Sequence, residues 1–375
     1  MKSVLVVGAS GSIGKQTLDV LERHKDLFTL AGMSAHTNLD FLIAAANSLN
    51  PDAPLCLSAP TVCKHDRVSY YGKDGLVSMI METQADIVVN AAAGSDGLAV
   101  SVAALRSGKH LALANKETVV MAGRLVLAMA KQNGLMVLPV DSEHSALFNL
   151  IERFGKASIR EVIITASGGA FRNCPLEELP NKTLNDALAH PTWNMGAKIT
   201  IDSATMANKG LEVIEAARLF DLNAEQIKVV IHPESKVHSF VRTLDGSLYA
   251  QISRPDMRLP ILNALTWPHL AHETVGDLDI TSSALNFGPV QEARYPLLAL
   301  AYEALVSGEG ACCAYNAANE IAVGAFMNAR IGFSTIAAVV ERTLRNPWPK
   351  QLEHFDEVFA CDEAARNAAR IGITL

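Results

Sequence analysis

A glycine-rich segment near the start of the chain limits the choice of fold more than any other feature. The apolar run Val4–Val7 is followed by Gly8-Ala9-Ser10-Gly11-Ser12-Ile13-Gly14, and the helical pattern Lys15–His24 comes next. Glycines at this spacing allow a tight strand-to-helix turn and a close approach of the backbone to a pyrophosphate. The helix N-terminus adds free N–H groups. In this context the segment predicts a dinucleotide-binding loop rather than a purely structural turn.

Short apolar runs alternate with helical patterns over residues 1–140, as is typical of parallel strands joined by crossover helices. The predicted strands are Val4–Val7, Phe28–Met33, Asp86–Asn90, His110–Ala114 and Leu135–Val140. The predicted helices are Lys15–His24, Leu98–Ser107 and Met121–Asn133.

The pattern changes beyond residue 140. Strands are predicted at Glu161–Thr165, Ile227–Ile231, Val237–Thr243 and Ser247–Ile252. Asp245-Gly246 lies between the last two, and an Asp-Gly between alternating runs predicts a hairpin. A proline-rich, irregular connection is predicted over Arg254–Val290, followed by helices at Pro296–Ser307, Ala314–Ala329, Thr335–Arg345 and Asp362–Ile371.

The predicted fold class is α/β, with an N-terminal Rossmann-like parallel sheet, a central α+β catalytic domain and a C-terminal helical domain. A chain of 375 residues exceeds the size of one ordinary core. We expect a cofactor domain at 1–140, a catalytic and dimerisation domain at 141–275, a linker at 276–292 and the helical domain at 293–375.

Composition excludes several classes of function. With 49% hydrophobic and 19% charged residues, the chain is globular rather than disordered. A net charge of −7, without a basic block, argues against a nucleic-acid partner. No apolar run reaches the roughly 18 residues of a membrane span, and the first run is too short for a signal peptide. The six scattered cysteines form no C-x-x-C pair, which predicts buried thiols in a reducing, cytoplasmic compartment.

Polar residues recur where the predicted strands end, which is the edge at which parallel sheets bind ligands. Among them, Asp141 and Glu143 are two residues apart, so on an extended segment their carboxylates would point the same way. Two facing carboxylates need a proton or a cation between them, and an all-oxygen site suits Mg²⁺ or Mn²⁺. The alternative is a helix N-terminus with acidic residues in its first turn, because Ser145–Phe148 has a helical pattern.

A second polar cluster contains Asp202-Ser203 and Asn208-Lys209-Gly210-Leu211-Glu212. If this segment is helical, Asn208, Lys209 and Glu212 share one face. The alternative is a solvated helical face with a surface ion pair.

The segment His190-Pro191-Thr192-Trp193-Asn194-Met195-Gly196 places an aromatic residue and a thioether between proline and glycine. Such a loop is either a lid that closes over a ligand or a loop anchored in the core by its tryptophan.

The second strand ends at Ser34-Ala35-His36-Thr37-Asn38, and no acidic residue follows before Asp40. An NAD-preferring site carries Asp or Glu here, so its absence favours NADP. His36 and Thr37 either bind the 2′-phosphate or are ordinary loop residues.

Taken together in their order along the chain, the motifs resemble those of the 1-deoxy-D-xylulose 5-phosphate reductoisomerase family. They are Gly8–Gly14, Leu113-Ala-Asn-Lys-Glu117, Pro139-Val-Asp-Ser-Glu-His-Ser-Ala146, Ala166-Ser-Gly-Gly-Ala-Phe-Arg172, His190–Gly196, Ile201-Asp-Ser-Ala-Thr-Met-Ala-Asn-Lys-Gly-Leu-Glu212, His232-Pro-Glu-Ser235 and Tyr315-Asn-Ala-Ala-Asn-Glu320. The resemblance spans essentially the whole chain.

The resemblance implies a role for each matched residue. It implies metal ligands at Asp141, Glu143 and Glu212, and substrate contacts at Lys116, Ser142, Glu143, Ser167, His190, Ser203, Asn208, Lys209 and Glu212. Of these, Ser203, Asn208 and Lys209 would hold a phosphate, and Lys116 with the three metal ligands would form the catalytic set. NADPH contacts are implied at Ser10, Gly11, Ser12, Ile13, Asn115, Glu117 and Gly196, and a mobile flap at Trp193 and Met195.

The implied reaction is the isomerisation and NADPH-dependent reduction of a small sugar phosphate by a homodimer that uses one divalent metal, Mg²⁺, Mn²⁺ or Co²⁺. The chain departs from the family at Ala35-His36-Thr37-Asn38, where members usually show glycine followed by lysine or arginine. We still expect cofactor contacts from His36, Thr37 and Asn38, with a weaker preference for NADPH over NADH.

Overall fold

The computed structural model describes residues 1–60, 64–193, 195–272 and 275–374. Within these residues the strands are β1 Lys2–Val7, β2 Phe28–Ala35, β3 Leu55–Leu57, β4 Tyr70–Tyr71, β5 Ile87–Asn90, β6 His110–Leu113, β7 Val137–Pro139, β8 Ile159–Ala166, β9 Ile227–Ile231, β10 Val237–Thr243 and β11 Leu248–Ile252.

The helices begin with α1 directly after the glycine-rich segment. They are α1 Ser12–Arg23, α2 Leu39–Leu49, α3 Gly72–Glu82, α4 Gly97–Arg106, α5 Lys116–Gln132, α6 Ser142–Phe154, α7 Leu184–Leu188, α8 Ala197–Thr205, α9 Ala207–Leu219, α10 Arg258–Thr266, α11 Pro296–Ser307, α12 Glu309–Met327, α13 Thr335–Leu344 and α14 Phe355–Thr374. Among the described helices, none combines the length and the hydropathy that a membrane span requires.

The chain divides into two compact units. The first contains Met1–Thr118, Val126–Ser145 and Asp256–Asp277, and the second contains Val119–Leu125, Ala146–Pro255 and Leu278–Leu375. The division into domains at 1–140, 141–275 and 293–375 stays a prediction, and the boundaries of the two compact units differ from those of the predicted domains. In particular, α10 belongs to the first unit, and the C-terminal helices share the second unit with the catalytic segment.

The first unit is built on a seven-stranded sheet with the order β4-β3-β2-β1-β5-β6-β7, and every neighbouring pair is parallel. The strand order therefore reverses between β1 and β5, and such a switch point is where open parallel sheets bind ligands. Val4–Val7 and Ile87–Val89 are buried because helices cover this part of the sheet, as the continuous apolar runs predict. The predicted parallel, Rossmann-like sheet is confirmed.

The second unit is built on a four-stranded mixed sheet with the order β11-β10-β8-β9. Antiparallel pairing of β10 with β11 confirms the hairpin predicted at Asp245-Gly246, and β8 pairs with β9 in parallel. Val213 and Ala216 of α9 join the core against this sheet, whereas Leu211 and Ile214 pack with α11 and α12. Helix α9 is thus buried on two sides.

The sequence predictions missed several elements, among them two strands and one helix. Strands β3 and β4 were missed, because runs of three and two residues carry no usable periodicity. Helix α10 lies inside the predicted irregular connection, where Pro260 occupies the third helical position and needs no N–H partner.

Gly210 and Gly324 are glycines inside the helices α9 and α12 that differ in available space. A Cβ on Gly210 would lie 2.5 Å from the Tyr315 hydroxyl oxygen and 2.7 Å from the Ala301 Cβ, whereas no atom lies within 4 Å of a Cβ on Gly324. We expect Gly210→Ala to destabilise the protein by about 1–3 kcal/mol through overpacking. The matched control Gly324→Ala should be neutral or stabilising by up to about 1 kcal/mol. Denaturant unfolding measures both, and equal effects would contradict the packing argument.

Candidate active site

The glycine-rich loop lies at the switch point of the first sheet. Gly8 has a φ of +78°, and a Cβ there would lie 2.5 Å from the carbonyl oxygen of Ala91, just beyond β5. A Cβ on Gly14 would lie 2.3 Å from the Gly8 carbonyl oxygen. Gly11 caps α1 without a side-chain hydrogen bond, so the first N–H groups of the helix have no capping side chain. The segment Ser10–Ile13 therefore fits an anionic ligand.

The end of β2 is held by local hydrogen bonds. The His36 Nδ1 lies 3.3 Å from the Ser58 hydroxyl oxygen, and the Asn38 side chain caps α2 by accepting from the Phe41 N–H at 3.1 Å. These bonds give His36 and Asn38 structural roles. Cofactor contacts from His36, Thr37 and Asn38 stay a prediction.

Asn115 organises the loop after β6. Its side-chain oxygen accepts from the Thr118 N–H at 3.0 Å, and its amide donates to Ala92, Gly94 and the Glu117 carboxylate at 2.9–3.0 Å. Both Asn115 and Glu117 are buried. They position the backbone beside the switch point, and their contact with a cofactor stays a prediction.

The geometry assumed for Asp141 and Glu143 was wrong, because the segment is not extended. Helix α6 begins at Ser142, so Asp141 precedes it and Glu143 lies in its first turn. The Ser142 hydroxyl donates to the Glu143 carboxylate at 2.5 Å. Acidic residues at this end of a helix are stabilised by its dipole, as the alternative interpretation held. A metal-binding role is compatible with this local structure.

Asp141 is paired with two partners in the first unit. The Lys116 ammonium donates to its carboxylate, and the His144 Nδ1 lies 3.0 Å from the same oxygen. Burial raises the pKa of Asp141, but the Lys116 charge and the His144 hydrogen bond outweigh burial and hold the pKa well below its usual range. The carboxylate is therefore ionised at neutral pH. Lys116 is 6% exposed and His144 is fully buried, and sequence reasoning assigned His144 no role.

The second polar cluster forms the shared helical face that its spacing predicted. On α9, Asn208 and Lys209 both donate to the Glu212 carboxylate. Lys209 and Glu212 are 5% and 1% exposed, so the alternative of a solvated surface ion pair was wrong. Among the described residues, the buried side-chain oxygen of Asn208 has no hydrogen-bond partner. The buried ammonium suits an anionic ligand, and the unpartnered amide oxygen suits a ligand group that donates a hydrogen bond, such as a hydroxyl.

Ser203 lies on α8, one residue after a buried carboxylate. Asp202 accepts from Lys198 and from the side-chain amide of Asn319 on α12, both at 2.8 Å. A Cβ on Gly169 would lie 2.5 Å from the Ser203 carbonyl oxygen, so the loop after β8 is in direct backbone contact with α8. Sequence reasoning did not assign Lys198 or Asn319, and only the later Tyr315–Glu320 motif pointed to the helix that carries Asn319.

His190 connects Ser167 to the segment predicted as a flap. Its Nδ1 accepts from the N–H groups of Thr192 and Trp193 at 3.1 and 2.9 Å. The proton is therefore assigned to Nε2, which lies 3.0 Å from the Ser167 hydroxyl oxygen. Burial, and then the Arg172 charge, lower the pKa of His190, so the imidazole is neutral at pH 7.

Trp193 and Met195 are half-buried, and neither belongs to the core clusters that the described residues of the second unit form. This observation disfavours the alternative in which the tryptophan anchors the loop in the core. Asn194, within the predicted flap, lies outside the described residues. Gly196 caps α8 without a side chain, and its contact with a cofactor stays a prediction.

Two further residues hold the loop after β8. The Arg172 guanidinium donates to the Ser167 carbonyl at 2.6 Å, and the Tyr295 hydroxyl donates to the Gly168 carbonyl at 2.8 Å. Burial raises the pKa of Tyr295 to about 12, so it remains a donor at physiological pH. Tyr295 comes more than 120 residues later, and no local pattern could have assigned it.

Comparison with protein families gives one consistent result. Models described as 1-deoxy-D-xylulose 5-phosphate reductoisomerase, its C-terminal domain and the DXP reductoisomerase C-terminal domain match residues 4–123, 137–220 and 252–368.

Individual relatives match this chain over nearly the full length of both proteins. Proteins named 1-deoxy-D-xylulose 5-phosphate reductoisomerase from Pelodictyon phaeoclathratiforme and Geotalea uraniireducens are 44% and 43% identical, with 99% of this chain and 99% and 98% of theirs covered. A solved reductoisomerase from Zymomonas mobilis in complex with NADPH is 40% identical with a TM-score of 0.89, covering 99% of each chain. Another, in complex with NADPH, fosmidomycin and magnesium, is 36% identical with a TM-score of 0.93, covering 100% of this chain and 99% of that one.

The lowered pKa of His190 predicts that the stability of the protein depends on pH. Because folding favours the neutral imidazole, its contribution to stability is complete above about pH 6.5 and is lost as the pH falls through the lower folded-state pKa. Protonation would place a hydrogen on Nδ1, against two N–H donors. We expect His190→Asn, whose amide oxygen can accept the same two bonds without titrating, to melt with a weaker pH dependence between about pH 5 and 6.5. Identical pH profiles for the two proteins would exclude this role.

Proposed function

This chain belongs to the 1-deoxy-D-xylulose 5-phosphate reductoisomerase family, and we propose that it converts 1-deoxy-D-xylulose 5-phosphate to 2-C-methyl-D-erythritol 4-phosphate with NADPH and a divalent metal. This reaction serves non-mevalonate isoprenoid precursor biosynthesis. The observation that carries the proposal is the buried cluster on α9, since Lys209 and Glu212, which the resemblance assigns to the site, are withdrawn from solvent.

The metal ligands in this proposal are Asp141, Glu143 and Glu212. All three offer carboxylate oxygens, the donors preferred by Mg²⁺ and Mn²⁺. The lowered pKa of Asp141 supports the assignment, because an ionised carboxylate binds a cation without first losing a proton. When bound, a divalent cation supplies Lewis acidity toward oxygen atoms that gain negative charge.

The protein's own groups would bind and orient the substrate. Ser203, Asn208 and Lys209 hold the phosphate through a hydroxyl, an amide and a point charge. Lys116 donates a hydrogen bond to an oxygen that develops negative charge. Ser142, Ser167 and His190 complete the substrate contacts, and His190 contributes a neutral Nε2–H at its Ser167 partner.

The cofactor would bind at the glycine-rich loop. Its pyrophosphate would accept from the N–H groups of Ser12 and Ile13, with Ser10 and Gly11 lining the turn. When bound there, NADPH would supply the hydride for the reduction. The flap residues Trp193 and Met195 would then exclude water from the bound ligands.

Two other functions are consistent with a dinucleotide-binding sheet. A dehydrogenase without isomerase activity has no need of three carboxylates and a phosphate cluster, and an NADP-sensing regulator has no turnover. The metal requirement separates the first from the proposed enzyme, and a turnover assay separates the second.

The decisive measurement is NADPH oxidation with 1-deoxy-D-xylulose 5-phosphate. We expect turnover with Mg²⁺ or Mn²⁺ and loss of turnover in EDTA that is restored by added metal. Asp141→Asn should lower kcat/KM by at least about 100-fold, or about 2.7 kcal/mol, whereas the matched control Asp52→Asn in an exposed turn should not. Undiminished activity in EDTA would refute the metal assignment, and the EDTA arm needs no folded variant.

The flap assignment predicts a separation of activity from stability. Because Trp193 lies outside the core clusters, Trp193→Ala should lower kcat/KM for the sugar phosphate while leaving the melting temperature close to that of the parent. A core tryptophan would instead cost about 3–5 kcal/mol of folding stability. A strongly lowered melting temperature with normal activity in the cold would overturn the lid role.

We also propose a homodimer that works in the cytoplasm. The edge strand β11 exposes Leu248, Tyr249 and Ile252, and nearby Leu244 is 66% exposed. An open edge with apolar side chains favours pairing with a second copy. The described cysteines all carry free thiols, which suits a reducing compartment. Light scattering should give twice the chain mass, and Tyr249→Lys should shift the protein toward monomer.

A further inference from the structure

Two cysteines lie on α12 and α14, two helices of the second unit that pack against each other. Ala314 and Ala317 of α12 and Ala365 of α14 form a buried cluster of alanines, against which the half-buried Leu344 and Trp348 pack. Such small side chains let two helices approach to the short end of the usual 8–10 Å interaxial distance. Cys313 on α12 is fully buried, and Cys361 on α14 is 7% exposed.

The thiols point into the same seam. The Cys313 sulfur lies 3.7 Å from the Val358 carbonyl oxygen, and the Cys361 sulfur lies 3.7 Å from the Gly310 carbonyl oxygen. Val358 and Gly310 each come one helical turn before the opposite cysteine, so the two contacts are reciprocal.

We propose that Cys313 and Cys361 form an oxidant-sensitive dithiol, which a peroxide converts to a disulfide that joins α12 to α14. Facing Cα atoms on alanine-packed helices can come within the roughly 4.4–6.8 Å that a disulfide spans. Adjacent Cys312 is not part of the pair, because its thiol donates to the Ala304 carbonyl of α11 at 3.5 Å.

The two cysteines are suited to different steps of disulfide formation. The neighbouring Cys313 thiol lowers the pKa of Cys361 against the effect of burial, whereas the Cys361 thiol and burial raise the pKa of Cys313. Cys361, which is also the more exposed thiol, is therefore the one that attacks an oxidant.

The chemistry balances with one peroxide per disulfide. The Cys361 thiolate attacks a peroxide oxygen, the O–O bond breaks, and a sulfenic acid and one water result after proton transfer. The Cys313 thiol then attacks the Cys361 sulfur, and the S–O bond breaks with release of a second water. Each sulfur loses one electron, and the peroxide gains two.

The disulfide would fasten α14 to the helix that supports α8. Helix α12 also carries Asn319, whose amide holds Asp202 beside Ser203. The new bond closes a loop of about 48 residues, a length at which a cross-link stabilises by restricting the unfolded chain. Oxidation should thus raise the melting temperature, by about 5 °C, without removing a group that contacts substrate.

The test treats the full-length reduced protein with hydrogen peroxide and maps the products by peptide mass spectrometry without reduction. We expect a Cys313–Cys361 peptide pair that is 2 Da lighter than its two reduced peptides, a higher melting temperature, and reversal of both by dithiothreitol. Cys361→Ser and Cys313→Ser should each abolish the linkage and the temperature shift. The matched control Cys56→Ser, which removes a lone buried thiol of the first unit, should retain both.

Half-buried Cys174 serves as an internal reference for the peroxide dose. The proposal fails if Cys174 is oxidised while Cys313 and Cys361 remain thiols. It also fails if Cys361 accumulates as sulfinic acid, or if the linkage involves Cys312. Because these readouts come from the parent protein, they decide the question even if a serine variant does not fold.

Discussion

The pairing of buried charges is the constraint on which the arrangement of the candidate site depends. An ammonium or carboxylate removed from water costs several kcal/mol unless a partner of opposite charge and further hydrogen bonds compensate. In the second unit Lys209 is paired with Glu212, and Asp202 with Lys198 and Asn319. In the first unit Lys116 is paired with Asp141. Removing one member of such a pair leaves its partner buried without a compensating charge. These residues therefore depend on each other for folding as well as for chemistry.

The burial of these charges follows from the position of α9. Its residues Val213 and Ala216 pack toward the mixed sheet, and Leu211 and Ile214 pack toward the C-terminal helices. A helix covered on two sides leaves little room for water around Lys209 and Glu212. Their ion pair therefore lies in a low-dielectric environment, where it is much stronger than on a surface. The same environment would strengthen the attraction between Lys209 and an anionic ligand.

Sequence reasoning recovered what depends on local pattern. The glycine-rich loop, the Asp245-Gly246 hairpin and the shared face of Asn208, Lys209 and Glu212 each follow from residues less than ten positions apart. It failed at Asp141, where two acidic residues after an apolar run look extended although the helix begins at Ser142. The partners Asn319 and Tyr295 lie over 100 residues from the groups they hold, and only the tertiary fold brings them there.

Two close contacts in the second unit depend on glycine, because a side chain would not fit at either position. At Gly169 the backbone of the β8 loop meets the backbone of α8, and any Cβ would lie 2.5 Å from the Ser203 carbonyl oxygen. At Gly210 the close approach of Tyr315 and Ala301 likewise leaves no space for a methyl group. The first contact holds Ser203 through backbone alone, and the second packs the helical turn that carries Lys209 against the side chains of Tyr315 and Ala301. Because a misplacement of about 1 Å can cost a reaction about 100-fold, a side chain at Gly169 or Gly210 would disturb any ligand site that Ser203 and Lys209 form.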